Sequence, residues 1–186
     1  MKAVIKMGLI AMTLSGLGGA VNAQNAQHVQ QNEETGFTMP ALNPQSKLAE
    51  LSGNHVGIRV PDYAAAIRWY TEKLDFRVIH EWDYADEKLA YLAPANSNDF
   101  WIEILAGGKL TKAKTVYNDL GKSLEEGGYQ HICMHVTNLN NVLAELKSRG
   151  VTFVGQTFYL DAIHRNLAFI RDPWGNMIEF AEVVKK

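Results

Sequence analysis

Cysteine is almost absent: Cys133 is the only one in the chain. That excludes an intrachain disulfide framework and any cysteine-rich metal site. No charge of one sign dominates either, since 18 basic and 20 acidic residues leave a formal net charge of −2. Neither a nucleic-acid-binding surface nor attachment to an anionic membrane is indicated. What the chain does have is apolar substance. At 47% hydrophobic residues over 186 positions, it can build a core for one domain of ordinary size, or for two small similar halves.

The N-terminal apolar run, MGLIAMTLSGLGGAV, follows Lys2 and Lys6 and closes with Val21-Asn22-Ala23. A basic start, an apolar middle and a small-residue end are the marks of a secretory signal peptide, here residues 1–23 with cleavage near Ala23. The run is too short and too rich in Gly and Ser for a membrane span, so no stable span is expected after processing. Loss of Lys2 and Lys6 takes the net charge from −2 to −4. The expected location is the periplasm or the outside of the cell. Residues 24–50 are rich in Gln, Asn, Glu and Pro without periodicity and read as a flexible leader to a domain over 51–186.

From Gly53 onward the chain repeats itself. NHVGIRVPDYAAAIRWYTEKLDFRV starts at Asn54, and QHICMHVTNLNNVLAELKSRGVTFV starts at Gln130, an offset of 76 residues. Each opens with an alternating strand and a polar corner, and a helix follows, Tyr63 to Leu74 and then Leu139 to Arg149. Ala66, Ile67, Tyr70 and Leu74 form an i, i+3, i+4 stripe in the first, as do Val142, Leu143 and Leu146 in the second. Three strand-like runs follow each helix: FRVIHEW, KLAYLAP and FWIEIL, then TFVGQTF, NLAFIRD and NMIEFAE. Module one spans 53–106, a linker 107–128, and module two 129–184. Two copies of this length suit a paired module better than a solenoid.

The offset relates four residues of one chemistry. His55 matches His131, and Glu103 matches Glu179. The period-2 alternation of strands puts His55, Gly57 and Arg59 on one face, as it does His131, Cys133 and His135. Glu103 lies with Trp101 and Leu105, and Glu179 with Met177 and Ala181, while Ile102, Ile104, Ile178 and Phe180 face away. A lone strand histidine is most often a core or edge residue, and a lone glutamate is most often solvated. Four such residues at repeat-equivalent positions are better explained as ligands. If the halves pair about a pseudo-twofold axis, two imidazoles and two carboxylates converge and suit Zn, Ni, Co, Fe or Mn better than Ca. His80, His135 and His164 have no such match and read as structural or pocket-lining. Cys133 reads as a small buried apolar residue, and Trp69, Tyr70, Trp82 and Tyr84 as core or pocket wall.

At these residues the chain resembles the vicinal oxygen chelate superfamily, and within it the glyoxalase I family. The likeness runs from Asn54 to Val184 and is carried by HVGIRVPD, WIEIL, YQHICMHV and, above all, LAFIRDPWGNMIEF. It implies an α+β fold of two paired βαβββ modules, forming a curved mixed sheet around a metal held by His55, Glu103, His131 and Glu179. Two His and two Glu match the glyoxalase I pattern, whereas dioxygenase and thiol-transferase branches use two His and one Glu. By resemblance, Glu179 is the proton-transfer base and Glu103 its counterpart. Arg59, and Arg165 in the late loop, would contact substrate; Gly107 and Gly127 depart from the family's thiol-contacting positions.

The expected activity is that of a lyase or isomerase acting on a hemithioacetal, a glutathione adduct among them, or on a related small carbonyl adduct. Protons would move through a metal-bound enediolate. One divalent ion is the expected cofactor, Zn or Ni before Co, Mn or Fe. Two alternatives stand beside it: an Fe-dependent extradiol-type dioxygenase, and a non-catalytic protein of the same fold that binds a small molecule or metal. The modules could pair within one chain or swap across a homodimer.

Overall fold

The computed structural model describes residue 37 and residues 39–184. The signal peptide and most of the leader expected from the sequence lie outside these residues. Residues 39–51 are exposed and form a few hydrogen-bonded turns before the first strand.

The chain runs β1 (His55–Arg59), α1 (Tyr63–Leu74), β2 (Arg77–Tyr84), β3 (Glu87–Ala93) and β4 (Trp101–Gly107). A short α2 (Leu120–Ser123) interrupts the linker. The second module follows as β5 (His131–Val136), α3 (Leu139–Ser148), β6 (Thr152–Phe153), β7 (Phe158–Leu160), β8 (Arg165–Arg171) and β9 (Met177–Val183). Local chemistry sets the helix ends. Asp62 caps α1 by accepting from the Ala65 amide at 2.9 Å, and Asn138 caps α3 from the Asn141 amide at 2.9 Å. The run TFVGQTF does not form one strand. Gly155 adopts φ +74°, which ends the extended backbone and splits the run into β6 and β7.

Two mixed sheets result, with strand orders β1-β4-β3-β2 and β5-β9-β8-β6, and β7 pairs with β8. In each sheet the opening strand lies at the edge and runs parallel to the Glu-bearing strand beside it. The helix-facing sides share one core. Ile58, Val60, Ile102 and Ile104 of module one pack in the same buried cluster as Leu139, Leu146, Ile178 and Phe180 of module two, with Ala66 and Tyr70 of α1 among them. Burial of this kind contributes about 1.5–3 kcal/mol for each large side chain and is the main force joining the modules.

The repeat is visible in the contacts. Lys73 and Arg149, 76 residues apart, exchange hydrogen bonds across the seam: the Lys73 ammonium donates to the Arg149 carbonyl, and Arg149 Nη1 donates to the Lys73 carbonyl at 3.4 Å. A twofold relation between modules makes such an exchange natural.

The linker is held against the β8–β9 turn. Gly175 has φ +89°, and a Cβ there would stand 2.7 Å from the Thr115 carbonyl oxygen. Gly175→Ala should therefore displace the linker and destabilise the fold by at least about 1–3 kcal/mol. Urea denaturation checks this, and an unchanged midpoint would contradict the packing described.

Candidate functional site

The four residues singled out in the sequence stand on the faces turned away from the helices. His55 and Glu103 lie on the neighbouring strands β1 and β4, with His55 Nε2 3.4 Å from Glu103 Oε2. His131 and Glu179 lie on β5 and β9, with Nε2 2.8 Å from Oε2. The glutamates sit on strands interior to their sheets and are the better covered partners; the imidazoles sit on edges and are about a third exposed. Glu179 is 8% exposed. A carboxylate so covered needs a partner or a cation.

Within one chain the four form two pairs. Among the described residues, no group of three or more His, Cys, Asp or Glu stands close enough to hold an ion. The modules share one core, and their opening strands approach each other at a small cavity lined by Gly57 of β1 and His131 of β5. Each pair offers one imidazole nitrogen and one carboxylate oxygen, turned toward each other on an accessible face. Two donors are too few for a divalent transition ion, and four suit it. The donor set therefore fits such an ion where two pairs meet.

The surroundings of the two pairs differ. Around His131 and Glu179 a second apolar cluster forms on the concave side, from Val154, Leu167, Phe169, Met177 and Ala181, with Leu120 and Ile163 packed against it. Around His55 and Glu103 the face is open and aromatic. Tyr91 stands opposite Glu103 in register, with its ring 5.0 Å from that of His55.

The other residues noted in the sequence fall as follows. Arg59 is on the His55 face, where its Nη2 donates to the Gly107 carbonyl and pairs with Glu87 at 2.9 Å; its Nη1 is buried without a hydrogen-bond partner. Arg165 is buried and donates to the Ile163 and His164 carbonyls at 3.0 and 3.3 Å, with the Phe37 ring 5.3 Å away. His135 lines an apolar cleft of about 410 Å³ between the modules, which holds none of the four paired residues. His164 accepts or donates at 3.0 Å with the Tyr159 hydroxyl. Tyr70 is core, Trp69 packs against it, and Tyr84 is exposed rather than core or wall.

Cys133 also differs from expectation. It is exposed on the concave face, although its sulfur is partly covered, because β5 is an edge strand and its outward positions meet no neighbouring sheet. Burial and then the Glu179 carboxylate, to which the thiol donates, push its pKa up to about 11. Metal-free protein should thus be alkylated slowly by iodoacetamide at pH 8, with the rate rising steeply toward pH 11. Rapid labelling at neutral pH, followed by mass spectrometry, would contradict this.

Sequence reasoning put Trp101 on the Glu103 face and read Trp82 as core or pocket wall, but it missed two features. One is Tyr91, which the alternation in KLAYLAP places on the Glu103 face and whose ring joins those of Trp82 and Trp101 to His55. The other is the buried bond from the Tyr70 hydroxyl to Asp172, which joins residues 102 positions apart and leaves no local signal.

Comparison with known proteins adds to this geometry. The family model of the glyoxalase/bleomycin resistance protein/dioxygenase superfamily matches residues 53–180. A lactoylglutathione lyase of Pseudomonas putida is 26% identical over 161 residues, covering 76% of this chain and 92% of that protein. A lactoylglutathione lyase of Schizosaccharomyces pombe is 28% identical over 147 residues and 75% of this chain, which spans only 47% of the length of that relative. Among solved structures, a glyoxalase family protein from Enterococcus faecalis superposes with a TM-score of 0.58 at 24% identity, covering 70% of this chain and 97% of that one.

Proposed function

Because the chain belongs to the glyoxalase/bleomycin resistance protein/dioxygenase superfamily, we propose that it is a glyoxalase I-like lyase whose site is completed by a second copy of the chain. In this reading His55 and Glu103 of one copy, with His131 and Glu179 of its partner, hold one divalent ion. The observation that carries it is the pairing of each histidine with the matching glutamate at 3.4 and 2.8 Å on two accessible faces. Among the described residues the four do not form one ligand group within a single chain, and a second copy supplies the missing pair without any change to the core that both modules share.

A divalent ion bound there would acidify the C–H beside a substrate carbonyl. The chain's own residues then do the rest. Glu179, covered and aligned by Cys133 and His131, takes a proton from one carbon and returns it to the next. Glu103 faces it from the other module. The rings of Tyr91 and Trp101 exclude water from that side of the carboxylates. Arg59 meets an anionic part of the substrate once that part competes with Glu87. Support for the lyase over an oxygenase is the second glutamate, and the two named relatives that are lactoylglutathione lyases.

Metal analysis of the purified protein, followed by assay of the methylglyoxal–glutathione hemithioacetal with Zn, Ni and Co, tests the reading. About one ion per site and metal-dependent product are expected. Silence with all three metals would sink the lyase, and oxygen uptake with Fe and a catechol would replace it with the oxygenase. Export follows the same reading: cleavage after Ala23 and recovery outside the cytoplasm, read by N-terminal sequencing of fractionated protein.

A further inference from the structure

We propose that the cleft on the helix side of the module seam is a second binding site, for a neutral, mainly apolar molecule of one or two rings. The inference goes beyond the lyase reading, because the cleft holds none of the four paired residues.

The cleft has a volume of about 410 Å³, within the range of small-molecule sites. Its walls come from both modules. Phe76 closes one side, and Met134, Val136, Val142, Leu146 and Phe180 line the other. Phe76, Leu146 and Phe180 are buried parts of the shared core and form a fixed floor. Met134, Val136 and Val142 are only partly covered. Apolar side chains left half-covered at a seam are stabilised by an apolar guest. The unbranched thioether chain of Met134 can adapt to the guest's outline.

Charge at the mouth selects the class of guest. Lys73, Asp75, Glu145 and Arg149 stand there, two of each sign. They are engaged with one another and with the main chain. Arg149 Nη1 and Nη2 donate to the two Asp75 oxygens at 2.8 and 2.9 Å, and its Nε donates to Glu145 at 2.7 Å. The Lys73 ammonium donates to the Arg149 carbonyl. An ionic group on the guest would lose water here and find its partners already taken. A neutral guest meets no such penalty.

Strand β5 adds a polar contact. Met134, His135 and Val136 are consecutive and all line the cleft. A strand does this along its free edge, since alternate side chains face opposite ways, and β5 is an edge strand. The His135 imidazole and the unpaired main chain of that edge are thus in place for one hydroxyl, carbonyl or amine on the guest.

N-phenyl-1-naphthylamine and 8-anilino-1-naphthalenesulfonate share their rings and differ by a sulfonate, which makes them matched probes. In fluorescence titrations the neutral probe should bind with a dissociation constant on the order of 10 μM, and the sulfonate about 10-fold more weakly. Zinc-loaded and metal-free protein should bind alike. Val142→Trp, which fills the cleft from α3, should weaken the neutral probe by about 10-fold or more. Asn141→Trp, at an exposed position on the same wall, repeats the test with little risk to folding. Binding indifferent to both tryptophans would overturn the inference, since the probe would then sit elsewhere. So would a sulfonate bound as tightly as the neutral probe, which makes the cleft an anion site. Expulsion of the probe as the protein dimerises would do the same, because the cleft would then be a subunit contact. The hemithioacetal assay reports separately. Silence there sinks the lyase and leaves probe binding as it is, while an active enzyme whose cleft takes no probe keeps the lyase and loses the site.

Discussion

Two silent variants, mixed as one dimeric population, regain activity. Glu179→Gln removes the base and one ligand from module two, and His55→Ala removes a ligand from module one. Each alone should lower hemithioacetal turnover by roughly 100- to 10,000-fold, the usual worth of a positioned acid–base group. Co-expression makes mixed dimers in which module one of the Glu179→Gln chain meets module two of the His55→Ala chain. That site is intact, and the other site in the same dimer carries both lesions. Random pairing makes half the dimers mixed, each with one good site of two, so about a quarter of the wild-type activity should return. If the site were built within single chains, every site in the mixture would carry one lesion and nothing would return. The steady-state rate of the co-purified mixture, against the two homodimers, decides between them. The basis is geometric: the chain holds two pairs at 3.4 and 2.8 Å, and among the described residues no group of three or more His, Cys, Asp or Glu stands close enough to hold an ion.

Asp172→Ala should cost about 3–5 kcal/mol of stability, read from urea unfolding. Asp172 is fully buried in the DPWGN turn and collects four hydrogen bonds. The Tyr70 hydroxyl donates at 3.1 Å, the Trp174 amide at 2.9 Å, and the Asn176 amide and side-chain nitrogen at 2.8 and 2.7 Å. Removal orphans all four donors, and one of them reaches across from α1, so the turn and the module seam loosen together. Tyr70→Phe leaves the other three bonds in place and should cost only about 0.5–1.5 kcal/mol. If the two substitutions cost the same small amount, the network is not what holds the turn.

A pH dependence accompanies this. Burial pushes the Asp172 carboxyl above the usual carboxylate range, offset in part by the bonds from Asn176, Tyr70 and Trp174. A folded-state pKa above the unfolded one means the associated stability is full below the unfolded value of about 4 and is lost as pH rises through the folded value. The stability of the wild type over Asp172→Asn should therefore shrink from mild acid toward neutrality.

Much was legible in the sequence because it depended on short-range periodicity. The bounds of α1 follow from the Asp62 cap and the Ala66–Tyr70 stripe, and the two-residue period of WIEIL and NMIEF sets which way Glu103 and Glu179 face. The 76-residue offset paired each glutamate with a histidine, and β1 does lie beside β4, and β5 beside β9, as that pairing needs. Membership of the superfamily was legible in the same motifs. Less legible was the second module's third run, where Gly155 at φ +74° splits one expected strand into two short ones. Cys133 was misplaced because burial of an edge-strand position depends on whether another sheet covers it, which no local pattern encodes.

By itself, then, the sequence determined the elements, the faces and the chemistry they present, since each follows from residues within a few positions or from an internal repeat. Only the tertiary structure decided how the modules sit. Their shared core, the Lys73–Arg149 exchange and the Tyr70–Asp172 bond join residues scores of positions apart, and these set the two His–Glu pairs apart in one chain. Whether the two pairs meet within one chain or between two is a matter of packing free energy between surfaces that the repeat makes nearly alike, so alternation and spacing alone leave it open.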